Sequence, residues 1–369
     1  MQIKNNYNET LTNLACSIRK YFNLEYKHNT LDYIDKILEE RKPKNVVTIL
    51  FDGMGSNIID KVLPEDSFFI KHRIKPITTV FPATTVAATT SMRTGQNPVE
   101  TGMLGWSIYF KDIDKIINIF PETEKGDMEE KHIDGIEDLK KRYLKTKSIV
   151  KEINEEKRYK SYELFPFGEN PYKDTDEMFE RIEELCSKDG KKYIYAYDVN
   201  PDYSMHRQGT YCDAVKEIIK YREKKVEQLS KIINDTVIFV IADHGHIAIE
   251  KIFLRDYPDI VECLKRNTSF EQRAVNFFIK QNKKEKFVEL FNKYFGNDFD
   301  LLSKQEVINK KLFGDGEENP IFRSALGDFL AIAKGNKALL YKGDKEFLSH
   351  HAGYSEDEVL VPLIVIEID

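Results

Sequence analysis

The amino-acid sequence predicts an α/β protein with a central, mostly parallel sheet, helices on both faces and a smaller inserted lobe. Short apolar runs recur at 46–51, 193–197 and 237–242, the first of them rich in β-branched residues, as strands buried on both faces are. A polar loop opened by an aspartate follows each of them. The length of 369 residues exceeds what one core usually supports, so either a large core with inserted segments or two domains is expected.

The elements follow in chain order. Residues 11–41 place apolar side chains (Leu14, Ile18, Phe22, then Leu31, Ile34, Leu38) at helical spacing among polar ones, and predict two surface helices leading into the core. Val46 to Phe51 ends at Asp52-Gly53-Met54-Gly55, which puts the Asp52 carboxylate at a strand's C-terminal edge. Tyr193 to Tyr197 runs into Asp198-Val199-Asn200-Pro201-Asp202, and Val237 to Ala242 into Asp243-His244-Gly245. Ligands of open parallel sheets bind beyond the carboxyl ends of the strands, so these loops are expected to share one crevice. Leu360 to Ile366 supplies a further core strand, after the loop that holds His350 and His351. Two intervals, 111–158 and 250–345, depart from this pattern and are expected to be insertions in a single domain spanning 1–369. The second has a helix near 284–295 and a strand near 329–333.

Composition narrows the function. The formal charge of −6, from 56 basic and 62 acidic residues, is spread without a long block of either sign, which excludes a duplex nucleic-acid tail. Cys16, Cys186, Cys212 and Cys263 show no C-x-x-C spacing and are expected to be free thiols in a reducing cytoplasm. The polar N-terminus has no apolar segment of signal-peptide length and no stretch reaches the roughly 20 apolar residues of a membrane span. A cytoplasmic protein that does not enter a membrane is therefore expected.

A hydrolase that uses two hard cations needs carboxylates and imidazoles gathered around a nucleophile. The scattered pieces are present: Asp202 and His206 in D-x-x-x-H spacing, the adjacent Asp243 and His244, Asp52, and the histidines near 350. The segment ITTVFPATTVAATTSMRTG reads as a helix opened by a threonine nucleophile, where the macrodipole and free N–H groups favour an alkoxide and a bound phosphate. Each signal has a plainer reading. Asp52 could cap a turn, Asp202 could start a surface helix, and the threonines could cap a helix and pack their methyls. Their joint occurrence in this order points to one site. His246 and His350 read as neighbours that orient ligands, and Arg93 and Arg207 as solvated side chains.

That ordered set resembles the alkaline phosphatase superfamily, and within it the type I phosphodiesterase/nucleotide pyrophosphatase branch. The resemblance implies the alkaline phosphatase-like sheet and a nucleophile ten positions before the glycine of a Thr-Gly pair, which selects Thr85 over Thr84. It implies one metal held by Asp202, His206 and His351, and a second held by Asp52, Asp243 and His244 with Thr85. The ending HHAGYSEDEV is similar to the family's His-x-Gly segment and selects His351. Two divalent cations follow, zinc by ligand type, with manganese or iron fitting the same donors. The implied substrate is a small phosphate ester, such as a nucleotide, cleaved through a phospho-threonine intermediate. The branch carries an asparagine where this chain has Trp106, whose indole could stack on a planar group. Phosphomonoesters or phosphonates are alternative substrates on the same metals. Sulfatases and the related mutases use other nucleophiles, and a non-catalytic binding module is the reading from another class.

Overall fold

Asn45–Phe51 forms a strand buried at every position, as do Lys192–Asp198 and Thr236–Ile241. Covered on both faces, such strands have no polar side to alternate, hence their unbroken apolar runs. They pair in parallel, with Leu50 opposite Tyr197 and Ile241, and Lys160–Leu164 extends the parallel part. On the other side Leu360–Ile368 runs antiparallel to Thr236–Ile241 and to Arg73–Thr78. The order across this six-stranded sheet is Arg73–Thr78, Leu360–Ile368, Thr236–Ile241, Asn45–Phe51, Lys192–Asp198, Lys160–Leu164. This computed structural model describes residues 7–369; residues 1–6, the start of the polar N-terminal stretch, lie outside it.

Helices pack on the sheet in two groups. Leu11–Tyr21, Thr85–Thr94 and Ile149–Glu156 form one, and Ser56–Val62, Phe68–His72, Thr175–Ser187 and Asp213–Ser230 the other. The first helix corrects the surface reading, because it is buried from Leu11 to Arg19. Its polar side chains find partners inside: Thr12 Oγ1 donates to Asn97 Oδ1 at 2.9 Å, and Arg19 pairs with Glu152 at 2.9 Å. Burial of such groups is tolerable only when they are paired in this way. Among the described residues no helix is long and apolar enough to cross a membrane.

A second, seven-stranded antiparallel sheet stands beside the first. Its order is Phe299–Ser303, Phe329–Ala333, Ala274–Phe277, Ser269–Phe270, Ser107–Phe110, Lys115–Asn118, Thr123–Glu124. Segments far apart in sequence meet where Phe270 pairs with Ser107. The Lys284–Phe295 helix buries Phe287, Phe291 and Phe295, spaced by one helical turn, against Phe277, Phe299 and Phe329.

The two sheets are tied by a fully buried ion pair. Arg273, beside the second sheet, donates to Glu358 Oε1 at 2.6 Å and Oε2 at 2.8 Å, and also to the carbonyls of Lys337 and Gly335. Glu358 in turn accepts from the backbone N–H of Gly353 and Ser355, which fixes the loop carrying His351. Removing one partner strands a buried charge, so Arg273→Ala should lower stability by about 3–5 kcal/mol in chemical denaturation. Arg273→Met combined with Glu358→Leu should cost clearly less.

Candidate active site

The parallel strands deliver their carboxylates to one end of the sheet. Asp52 directly follows the central strand. The Asp202 N–H donates to the Asp52 carbonyl at 2.9 Å, and the Gly53 N–H to Asp243 Oδ1 at 3.0 Å. These loops touch because glycines allow it. Gly53 has φ +74°, and a Cβ there would lie 2.9 Å from Asp202 Cβ; one on Gly55 would lie 2.5 Å from Gly245 Cα.

Two clusters result. Ligand-capable atoms of Asp52, Asp243 and His244 lie within 4.8 Å of one another, and so do those of Asp202, His206, His246 and His351. Three imidazoles are aimed by the backbone: His206 Nδ1 meets the Ser349 carbonyl at 2.8 Å, His351 Nδ1 the Ala83 carbonyl at 2.9 Å, and His244 Nδ1 the Gly245 carbonyl at 2.9 Å. A carbonyl can only accept, so each Nδ1 carries the proton and each Nε2 turns its lone pair inward. His244 and His351 stack with centroids 3.7 Å apart, which brings the two clusters side by side.

Their electrostatics ask for cations. Burial, then the nearby Asp243 and Asp202, pushes the Asp52 carboxyl well above the usual carboxylate range, with the Tyr197 hydroxyl opposing. Burial raises Asp243 as well, with His244 and the Gly53 N–H opposing. Asp202 is partly buried, which also raises it, but His206 and His246 outweigh that and hold it below the usual range. Burial and neighbouring imidazoles keep His351 well below its ordinary value, which leaves it neutral, the form in which it can ligate. Among the described residues the buried Asp52 Oδ1 and Asp243 Oδ2 have no hydrogen-bond partner. Buried carboxylate oxygens left unpaired beside an inward-turned imidazole lone pair fit a divalent cation at Asp52, Asp243 and His244, and Asp202 with the inward Nε2 atoms of His206 and His351 offers a second donor set of the same chemistry.

Thr85 opens the ten-residue helix Thr85–Thr94, whose first-turn N–H groups face the same end of the sheet. Its Oγ1 lies 3.2 Å from His244 Nε2 and 3.5 Å from Asp52 Oδ2. Thr84 points elsewhere, donating from Oγ1 to Glu271 Oε1 at 2.7 Å. Both line a cavity of about 450 Å³ with Asp202, His206, His351 and Trp106. Trp106, 40% exposed, meets Phe120 edge-to-face at 5.7 Å. Tyr203 and Phe347 also line the cavity, Phe347 with its ring 4.1 Å from His206.

The structure thus brings Asp52, Thr85, Asp202, His206, Asp243, His244 and His351 together, with Trp106 at the rim. His350 is buried beside them but outside both clusters; its Nδ1 accepts from the His351 N–H at 2.8 Å. Arg93 is not in the cavity. It pairs with Glu163 and lies over Phe165. Sequence reasoning read His246 as a neighbour that orients ligands and left Glu271 unassigned. His246 Nε2 sits 2.9 Å from Asp202 Oδ1, within the cluster of Asp202, His206 and His351. Glu271 lines the cavity from the second sheet, and nothing in its surrounding sequence announces it.

Comparison with known proteins bears on the family and the fold. The family profile for type I phosphodiesterase/nucleotide pyrophosphatase matches residues 46–355. Murine ectonucleotide pyrophosphatase/phosphodiesterase 5 superposes with a TM-score of 0.63 at 17% identity, over 86% of this chain and 87% of that one. The human protein of the same name gives the same values, as does an inactive threonine-to-alanine variant of the murine protein in complex with AMP. At that identity the likeness establishes the fold. No curated protein matches the sequence.

Proposed function

The chain belongs to the type I phosphodiesterase/nucleotide pyrophosphatase family of the alkaline phosphatase superfamily and is a phosphoric ester hydrolase, and from that premise we propose that it cleaves phosphodiester or pyrophosphate bonds through a phospho-threonine intermediate on Thr85. The observation that carries this reading is the Thr85 hydroxyl at a helix N-terminus, within 3.5 Å of both Asp52 and His244. Asp202, His206 and His351 would hold one cation, and Asp52, Asp243 and His244, with Thr85, the other. Zinc suits these donors, and manganese or iron fits them as well. When bound, such ions supply charge neutralisation at the phosphoryl oxygens and make a nearby hydroxyl more acidic.

The chain's own groups do the rest. Thr85 Oγ gives up its proton to solvent and attacks phosphorus in line; the leaving oxygen departs with the bonding electron pair, as an anion or after taking a proton from solvent, and the phosphoryl group passes to the threonine. The helix N–H groups face the oxygens that gather charge. Water then attacks the same phosphorus, the Thr85 O–P bond breaks, and the hydroxyl is restored. The AMP complex of the inactive murine variant supports a nucleotide as substrate class.

Trp106 and Phe120 would stack on the planar part of such a substrate. With zinc or manganese supplied, thymidine 5′-(p-nitrophenyl phosphate) should release nitrophenolate. Trp106→Ala should raise KM for it about tenfold and leave methyl p-nitrophenyl phosphate within about twofold, since a lost aromatic stack is worth about 0.5–1.5 kcal/mol. No release from either ester by metal-loaded protein would sink the proposal.

A further inference from the structure

Beside the nucleophile, the cavity wall carries an acid instead of a base. Glu271, 6% exposed, reaches in from the loop between Ser269–Phe270 and Ala274–Phe277. Its Oε1 accepts from Thr84 Oγ1 at 2.7 Å and from the Trp106 backbone N–H at 2.7 Å. The carboxyl is thereby fixed one residue from the Thr85 hydroxyl and against the strand that carries Trp106. Both hydrogen bonds fall on Oε1, so Oε2 remains for the cavity that Glu271 lines.

Among the described residues no ion pair neutralises it, and Lys125 and His244 act on it only through space. Of the three basic residues lining the cavity, Lys125 is paired with Asp344 at 2.8 Å, Arg207 lies over the Tyr203 ring at 3.6 Å, and Lys345 is exposed. A diester phosphate brings one negative charge to Thr85. A monoester brings two at alkaline pH, and the second charge adds to that of a cavity-lining carboxyl that no ion pair neutralises. Like charges in a desolvated site discriminate strongly.

We propose that Glu271 is a specificity-determining residue that makes this site select monoanionic phosphodiesters over dianionic phosphomonoesters, a refinement that rests on Thr85 being the phosphoryl acceptor. Burial pushes its carboxyl up to about 7, with the hydrogen bonds from Thr84 and Trp106 opposing.

The test compares methyl p-nitrophenyl phosphate with p-nitrophenyl phosphate at about pH 8.5, where the monoester is dianionic and Glu271 is ionised. Glu271→Gln keeps an acceptor for Thr84 and Trp106 while removing the charge. It should raise the monoester-to-diester ratio of kcat/KM at least about tenfold, through a gain on the monoester with the diester changed less than about threefold. An unchanged ratio would overturn the proposal, and so would a ratio moved only by loss of the diester. Calorimetry on the metal-loaded protein gives a second readout without turnover: Glu271→Gln should tighten inorganic phosphate relative to dimethyl phosphate at least about tenfold, and equal affinities before and after would overturn it too. Thr85→Ala separates the two claims. Turnover surviving in that variant defeats the Thr85 reading, whereas the binding ratio judges Glu271 alone.

Discussion

Thr85→Ala should lower kcat on a nitrophenyl diester by roughly four to six orders of magnitude, in keeping with removal of a covalent nucleophile. At about 1.4 kcal/mol per decade that is about 5–8 kcal/mol of lost transition-state stabilisation. The fold has little reason to respond. Thr85 occupies the first helical position, and its side-chain contacts are to Asp52 and His244. Metal content should therefore stay near the wild-type level in elemental analysis. Thr84→Ala provides the contrast. That hydroxyl serves Glu271 and makes no capping bond to its own helix, so the loss should be about 1 kcal/mol of stability, with turnover falling far less. If the two variants were equally inactive, the distinction between the two threonines would fail.

Removing the cations should have the second-largest effect. The clusters hold three carboxylates, Asp52 and Asp243 buried and Asp202 partly so, and Asp52 feels both of the others. Dialysis against a chelator should abolish turnover, and zinc or manganese should restore it. Stability should fall as well, because an ion that binds only the folded chain stabilises it by mass action. Two sites, each with free ion at 100 to 1,000 times its Kd, contribute about 5–8 kcal/mol together. For a chain of this length that corresponds to a drop of roughly 6–10 °C in Tm. Close to two ions per chain should be found before dialysis. An apoprotein with unchanged Tm and activity would contradict the two-cluster account.

The parts of the fold legible in the sequence are those where local pattern and tertiary role coincide. Val46 to Phe51 and Val237 to Ala242 read as buried strands because both of their faces are covered in the molecule. The acids after those strands read as site residues because the ends of parallel strands are where loops converge. Asp202 and His206 lie one turn apart on the Asp202–Gln208 helix, a spacing visible in the bare sequence. Less legible were features made by distant pairing. Ser107 meets Phe270 across the second sheet, and Glu271 reaches the cavity only because that pairing turns its loop inward. The burial of Leu11 to Arg19 was hidden for the same reason, since Asn97 and Glu152, which satisfy Thr12 and Arg19, lie far along the chain. His246 was visible as a histidine, but its approach to Asp202 depends on how the loop after Thr236–Ile241 folds back over the Asp202–Gln208 helix.

The claim that Thr85 takes the phosphoryl group is met most directly by stopping metal-loaded protein in acid during turnover of the nucleotide diester and mapping the adduct by peptide mass spectrometry. A substrate-derived phosphoryl group on Thr85 is the result this account predicts. The same group on Thr84 or on any other side chain would contradict it.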